Sequence, residues 1–212
     1  MSTLARSTDT RRRLLEAGVE VFSEEGFRSA TIQTICKRAR ANIAAAHYHF
    51  GDKEGLYAAV FAYAERRATE DNPPPAPDGA TPSARLQAHV TSFLSRLLDA
   101  GRPAWMARLI SREMIEPTRA LDRLVRRRMR ANHEQLSAII RELLGPGATK
   151  DTVRFCTLSV IAQCVFYRNS APVIVRLYPD IVPSRDVSRI ADHVSRFSLA
   201  AIRGLRAKRG RS

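Results

Sequence analysis

The chain has 212 residues, of which 44% are apolar and 26% charged, so it is long enough to bury a core and its composition excludes general disorder. It carries 35 Lys and Arg against 21 Asp and Glu, a net charge of +14 that favours a polyanionic partner without identifying one. No run of 18 uncharged apolar residues exists and the start is polar and basic, so we expect a cytoplasmic protein without a membrane partner.

The three cysteines are too few for a disulfide framework, and no CxxC pair is present. Cys156 and Cys164 are eight positions apart, which on one helix is about 12 Å of rise and beyond disulfide reach. We therefore expect all three to be buried small apolar residues, with a thiol-reactive sensor as the alternative.

Apolar residues recur at three- and four-residue steps along nearly the whole chain, and no segment alternates for long enough to indicate a strand. This pattern predicts an all-α protein of about nine helices. The predicted helices cover 8–25 (ended by Gly26), 32–39 (capped by Thr31), 43–50 (capped by Asn42), 53–70, 83–100 (capped by Thr81), 104–115, 118–144, 150–169 and 184–206. The Pro-rich segment 71–82 predicts a loop, and 170–183 is expected to be irregular.

The helices at 32–39 and 43–50 form the most informative unit. Each has two to three turns, a three-residue turn joins them, and their apolar faces require them to cross. This pattern is typical of a helix-turn-helix, which presents its second helix to a DNA major groove. We therefore predict a helix-turn-helix DNA-binding domain at 1–52 and a larger helical domain at 53–212.

The residues of this unit carry a family resemblance. The runs TIQTICKRA from Thr31 and NIAAAHYHFGDKEGLY from Asn42 closely resemble the DNA-binding segment of the TetR family of transcriptional regulators, over about residues 8–60. The NIAA opening and the SREMIEP run from Ser111 are similar to the CecR-type subgroup. Arg40 departs from the family, which usually has glycine there, so we expect strain at this turn or a contact from Arg40 to a phosphate.

The resemblance and the residue types together predict the DNA contacts. His47 is expected to read a base edge, Tyr48 and Lys53 to bind phosphates, and Ile43 and Phe50 to belong to the core. Thr31 caps a helix and suits a phosphate, whereas Gln33 suits a contact or an inert surface position equally well. The predicted DNA-binding residues are Thr31, Gln33, Asn42, Ala44, Ala45, His47, Tyr48 and Lys53.

Nothing in the sequence indicates catalysis. There is no GxSxG, no phosphate-binding Gly-rich loop and no HExxH, so we expect no enzyme activity, no cofactor and no metal. His47 and His49 are two positions apart on a helix, where side chains diverge too far to chelate. Glu113 and Glu116 are expected on a solvated or Arg-bridged helix face.

The resemblance implies that 53–212 dimerises and binds a small effector. Helix 150–169 is apolar nearly all round and needs two partners, supplied by a second subunit or, alternatively, by a monomeric domain around it. The predicted dimer residues are Ile190, Val194, Phe197 and Ala201. Predicted effector contacts, each of which ordinary core packing would also explain, are Trp105, Met106, Leu109, Met114, Phe155, Ser159, Gln163 and Tyr167.

These features predict a ligand-responsive regulator, a homodimeric repressor released from a palindromic double-stranded DNA operator by a small apolar or amphipathic effector. The alternative is a helical protein-interaction module whose basic surface binds nucleic acid without specificity. A regulator should prefer its operator to random DNA by roughly 10³ or more, which separates the two hypotheses.

Overall fold

The computed structural model describes residues 3–70, 79–98 and 104–209, apart from the side chains of 3–6, 65, 67–70, 104–107, 127–128 and 207–209. These ranges contain helices and no strand, which confirms the predicted all-α class. The helices are α1 (Thr3–Ser29), α2 (Ile32–Ala39), α3 (Ile43–Phe50), α4 (Lys53–Glu70), α5 (Pro82–Leu98), α6 (Ala104–Ile115), α7 (Arg119–Leu124), a π-helical turn (Val125–Met129), α8 (Arg130–Leu144), α9 (Lys150–Asn169), α10 (Ala171–Leu177) and α11 (Val187–Arg209).

Most predicted boundaries agree with the structure, and the exceptions have local causes. At Gly26 (φ 80°, ψ 171°) α1 kinks where its end was predicted, and the last residues continue beyond the kink. The predicted helix 118–144 is divided by the π-helical turn into α7 and α8. The segment expected to be irregular contains α10, because Pro172 lies in its first turn, where a missing N–H is tolerated. The predicted Pro-rich loop lies mostly outside the described residues.

The chain packs as two compact units. The first contains α1–α4 together with α6 and α7, although α5 separates these groups in sequence. Its core includes Leu14, Phe22, Ile35, Leu56 and Val60, all fully buried. Where α1 approaches α4, a Cβ on Gly18 would lie 2.7 Å from a methyl carbon of Val60, so a larger residue would push the two helices apart.

The second unit contains α5 and the helices from α8 onward. Its core is a continuous apolar cluster to which each of α5, α8, α9 and α11 contributes. The cluster includes Leu86, Val90, Leu94, Leu136, Ile140, Val160, Cys164, Ile190 and Val194. The three cysteines lie within the described ranges and form no disulfide there; Cys36 and Cys164 are buried, and Cys156 is half-buried.

These packing units do not coincide with the predicted division at residue 52, since α4, α6 and α7 pack with the helix-turn-helix. The functional division between a DNA-binding part at 1–52 and an effector-binding and dimerisation part at 53–212 therefore stays a prediction. Among the described helices none is long and apolar enough by itself to cross a bilayer; α9 and α10 reach that length only as a pair bent by 73°.

Candidate DNA-binding site

Two side-chain caps define the helix-turn-helix. The Thr31 hydroxyl accepts a hydrogen bond from the backbone N–H of Thr34 at 3.0 Å, and the Asn42 side-chain oxygen accepts one from the N–H of Ala45 at 2.7 Å. Each cap satisfies an amide that the first helical turn leaves without an intrahelical acceptor, a contribution of about 1 kcal/mol. The starts of α2 and α3 are therefore fixed as predicted, and both capping residues are exposed.

The turn between α2 and α3 is strained at Arg40, the position where the family usually has glycine. Arg40 has φ 50° and ψ 46°, the left-handed conformation that L-residues adopt at a cost of roughly 1–2 kcal/mol. The guanidinium of Arg13 on α1 donates to the carbonyl oxygens of Ala39 and Arg40, at 3.0 and 3.1 Å. Arg13 thus holds the strained turn, and the Arg40 side chain remains exposed.

The exposed face of α3 consists of Ile43, Ala44, His47 and Tyr48. Tyr48 is 83% exposed, whereas Ala46 is buried against the rest of the unit. The prediction that Ile43 belongs to the core is wrong: its side chain is 43% exposed and lies one helical turn before His47. Spacing from His47 was the signal that would have placed Ile43 on this face.

Nearby carbonyl groups orient two polar side chains, His47 on this face and Lys53 at the start of α4. The Nδ1 atom of His47 lies 2.7 Å from the carbonyl oxygen of Gly51, which suits a donating Nδ1–H and leaves Nε2 as the second ring nitrogen. The Lys53 ammonium donates to the carbonyl of Arg28 at 3.1 Å and lies 4.7 Å from the centre of the Phe27 ring. Lys53 is therefore held at a defined place beside α3.

The GDKEG run has a structural explanation. The Asp52 carboxylate accepts from the N–H of Gly55 at 2.7 Å and caps α4. A Cβ on Gly55 would lie 2.1 Å from the carbonyl oxygen of Phe50, so any side chain at that position would force the backbone of the α3–α4 turn to shift. The run thus fixes the angle between α3 and α4. The remaining predicted DNA residues belong to the same segment: Gln33 and Ala44 are exposed and Ala45 is half-buried.

Two family models match this chain. One, described as bacterial regulatory proteins of the tetR family, matches residues 14–60. The other, the C-terminal domain of the HTH-type transcriptional dual regulator CecR, matches residues 82–202, more than half of the chain. The chain belongs to the TetR family, with a CecR-type C-terminal domain. It is a DNA-binding transcriptional regulator.

Individual relatives of this TetR-family regulator extend the comparison. The regulator UidR of Escherichia coli is 41% identical over 59 residues, which is 28% of this chain and 30% of UidR. The repressor NicS of Pseudomonas putida is 25% identical over 93% of this chain and 92% of NicS. A solved TetR-like regulator from Rhodococcus sp. RHA1 covers 92% of this chain and 96% of its own, with a TM-score of 0.68 and 19% identity, and shows the same fold. All three are regulators rather than enzymes.

The predicted effector residues of the TetR-family regulator belong to two different packing units. Leu109 is buried in the first unit and Met114 of the same helix is exposed, while the side chains of Trp105 and Met106 lie outside the described residues. The others belong to the second unit. The predicted inward orientation is wrong for Met114, which is exposed on α6, and for Phe155 and Ser159, which are exposed on α9.

Polar groups on α9 are satisfied within the chain. The Ser159 hydroxyl donates to the carbonyl of Phe155 at 2.8 Å, and the Gln163 amide donates to the Ser198 hydroxyl of α11 at 3.2 Å. Tyr167 packs against the core of the second unit. The need for polar partners that singled out Ser159 and Gln163 in the sequence is thus met by α9 and α11 themselves.

The predicted dimer residues divide between two faces of α11. Val194 is 1% exposed and Ile190 is also buried, so the prediction that they contact a partner is wrong: both pack into the core of their own unit. Phe197 is 60% exposed and Ala201 is exposed on the other face. Periodicity predicted the apolar positions of α11 correctly, but the prediction assigned all of them to contact with a second subunit.

Glu113 is also placed differently from the prediction. It is 1% exposed rather than solvated, and Tyr57 and Thr118 donate hydrogen bonds to its carboxyl group. Its neighbour Arg112 donates to the carbonyls of Ser23 and Glu24 on α1. Within the described part of the chain, no group of three metal-binding side chains comes together.

Proposed function

We propose that this regulator is a homodimeric repressor that binds a palindromic DNA operator through α3 and is released by a small apolar or amphipathic effector. The observation that carries the DNA-binding part is the exposed face of α3 with Ala44, His47 and Tyr48, held by two caps and an arginine-braced turn. Ala44 is small enough for close approach to base edges, and His47 can exchange hydrogen bonds with them. The name of NicS, a repressor, supports the same direction of control.

The proposed dimer rests on exposed apolar side chains of α9 and α11. Phe155, Leu158 and Phe166 of α9 and Phe197 of α11 are each more than half exposed. So many large apolar groups in water are unusual on a monomeric surface and typical of an interface. A second copy of the chain that presents the same helices would cover them by a two-fold contact.

The proposed effector site includes α6, because the CecR-type resemblance extends to it and Trp105 and Met106 belong to it. An effector that binds beside α6 should change the emission of Trp105, the only tryptophan, and raise the melting temperature by linkage. A compound that releases DNA without either change would place the effector site elsewhere.

The test of DNA binding begins with selection of duplexes from a random pool by the wild-type chain. His47→Ala should weaken binding to the selected duplex by about 5- to 150-fold and change binding to a scrambled duplex little, because a base contact carries sequence information. Lys53→Ala should weaken both and lower the salt slope by about one per contact, or two per dimer.

His133→Ala is the matched control, since His133 is a half-buried histidine of α8 in the second unit. It should leave both affinities and the salt slope unchanged. Equal proportional losses for His47→Ala on the two duplexes would contradict the base-reading role, and recovery of no preferred duplex would contradict the operator itself.

A further inference from the structure

The buried carboxyl group of Glu113 connects three helices of the first unit. Its Oε1 atom accepts from the Tyr57 hydroxyl of α4 at 2.6 Å, and its Oε2 atom accepts from the backbone N–H of Thr118 at 2.9 Å. The Thr118 hydroxyl lies 2.9 and 3.1 Å from the two carboxyl oxygens and caps α7 by accepting from the N–H of Ala120. Among the Lys and Arg residues whose side chains the structure describes, none forms an ion pair with Glu113.

Stability alone is a poor reason for this arrangement. A buried carboxyl without a cation is costly to desolvate even when fully hydrogen-bonded, and apolar side chains of similar volume usually stabilise a core at least as well. What the carboxyl group adds is direction, since its oxygens accept only from donors at defined places. Glu113 therefore fixes where the Tyr57 hydroxyl lies.

Tyr57 is part of an aromatic cluster. Its ring centre lies 4.6 Å from that of Phe22, 4.9 Å from that of Phe27 and 5.1 Å from that of Phe61. Burial, with Glu113 beside it, raises the pKa of the Tyr57 phenol, so the hydroxyl stays protonated and donates. With the hydroxyl held by Glu113, the ring can pack on Phe27 in one orientation.

Phe27 in turn lies beneath Lys53. The Lys53 ammonium is 4.7 Å from the centre of the Phe27 ring, and Lys53 precedes Tyr57 by one turn of α4. A continuous series of contacts thus runs from Glu113 through Tyr57 and Phe27 to Lys53. A shift of the Tyr57 ring would change the surface on which the ammonium rests.

The residue before Glu113 holds the other side of the same segment. The Arg112 guanidinium donates to the carbonyl of Ser23 at 3.4 Å and to that of Glu24, just before the kink at Gly26. Arg112 therefore holds α1 just before the kink, and Glu113 is linked through Tyr57 to Phe27 just after it.

We propose that Glu113 is a positioning residue for DNA binding, which holds Tyr57 and Phe27 so that the Lys53 ammonium lies where it meets a phosphate. Glu113 itself does not touch DNA. The inference rests on the proposed role of Lys53 and adds to it the groups that determine where its ammonium lies.

The test is a double-mutant cycle between Glu113→Gln and Lys53→Ala, read as DNA affinity and as salt slope on a selected and a scrambled duplex. The amide of Gln has one acceptor oxygen, so either the Tyr57 hydroxyl or the N–H of Thr118 loses its acceptor; Tyr57→Phe, which removes the hydroxyl itself, is therefore measured beside it. Glu113→Gln should weaken binding to both duplexes by about tenfold and lower the salt slope toward that of Lys53→Ala. The double variant should be no weaker than Lys53→Ala alone, because both changes remove one contact.

Glu16→Gln is the matched control. Glu16 also accepts a hydrogen bond from a tyrosine of α4, with its Oε1 atom 3.0 Å from the Tyr63 hydroxyl. Its effect on DNA binding should be small and should add to that of Lys53→Ala. If Glu113→Gln fails to fold, as judged by circular dichroism, Tyr57→Phe removes the hydroxyl alone and completes the same cycle.

The outcomes separate the two claims. Suppose that the wild-type chain selects a duplex and that Lys53→Ala weakens binding to it. If the Glu113 or Tyr57 variant then has no effect on binding, or if its effect adds in full to that of Lys53→Ala, the inference is overturned and the proposed function stands. If Lys53→Ala has no effect, the inference fails together with the assignment of Lys53. If the wild-type chain prefers no duplex, the proposed function fails first.

Discussion

Replacing Arg40 by glycine should stabilise the protein. Arg40 has φ 50°, where an L-residue costs roughly 1–2 kcal/mol and glycine pays no steric penalty. Glycine also has more conformational freedom in the unfolded chain than arginine has. This lowers the free energy of unfolding by about 0.5–1 kcal/mol and offsets part of the gain. The contacts that hold the turn go to backbone carbonyls of Ala39 and position 40, so the substitution leaves them in place. The free energy of unfolding should rise by about 0.5–1 kcal/mol, a melting-temperature increase of about 2 °C for a chain of this length.

The measurement is thermal unfolding followed by circular dichroism at one fixed protein concentration, because any assembly makes the melting temperature depend on concentration. Lys37→Gly is the control. Lys37 is exposed in α2, three residues before Arg40, where the backbone is helical. Glycine there should lower the free energy of unfolding by about 1 kcal/mol. The same substitution should thus have opposite signs at the two positions.

A melting temperature of Arg40→Gly at or below that of the wild type would refute this reasoning. It would mean that the Arg40 side chain stabilises the folded state by more than its backbone conformation costs. The variant also tests the predicted phosphate contact: a salt slope of DNA binding equal to that of the wild type would exclude it.

Three further outcomes follow from burial and close contact. Phe197→Asp should dissociate the proposed dimer in sedimentation while the helices stay folded, whereas Val194→Asp should unfold the chain; an unchanged mass for Phe197→Asp would contradict the interface. Burial lowers the pKa of His89 to about 4. The unfolded state therefore binds a proton more readily than the folded state does. The free energy of unfolding should be highest above pH 6.5 and fall by up to about 3 kcal/mol as the pH is lowered toward 4. Denaturant titrations of His89→Gln should show no such loss. Gly55→Ala should lower the melting temperature by several degrees, because its methyl group would overlap the Phe50 carbonyl oxygen; a wild-type value would show that the α3–α4 turn adapts.

Features of the DNA-binding segment that depend on a few neighbouring residues could be predicted from the sequence. The caps at Thr31 and Asn42 and the strain at Arg40 each follow from residues within four positions. Ile43 was misplaced because an isoleucine is typical of a core position, whereas its spacing of four residues from the exposed His47 places it on the exposed face. Its neighbours Ala44 and Ala45 suit either side equally well.

Features that depend on distant residues could not be predicted. An acidic residue in an amphipathic helix is typical of a solvated face, and the burial of Glu113 depends on Tyr57, 56 positions earlier. The stripe of α11 likewise combines two faces, one that packs in its own unit at Val194 and one that is exposed at Phe197. Periodicity identifies apolar positions, but only the packing of the other helices decides what covers each of them.

The first packing unit is interrupted in sequence by α5, and this limits how the regulator can be divided for engineering. Consider a hybrid protein that joins residues 1–70 of this chain to the remaining residues of a relative. Its α6 would come from the relative. Tyr57 would then face whatever that protein has in place of Glu113, and the carbonyls of Ser23 and Glu24 would lose the guanidinium that binds them. A hybrid that exchanges only the second unit and keeps 104–125 would carry its own hydrogen-bond partners across the junction.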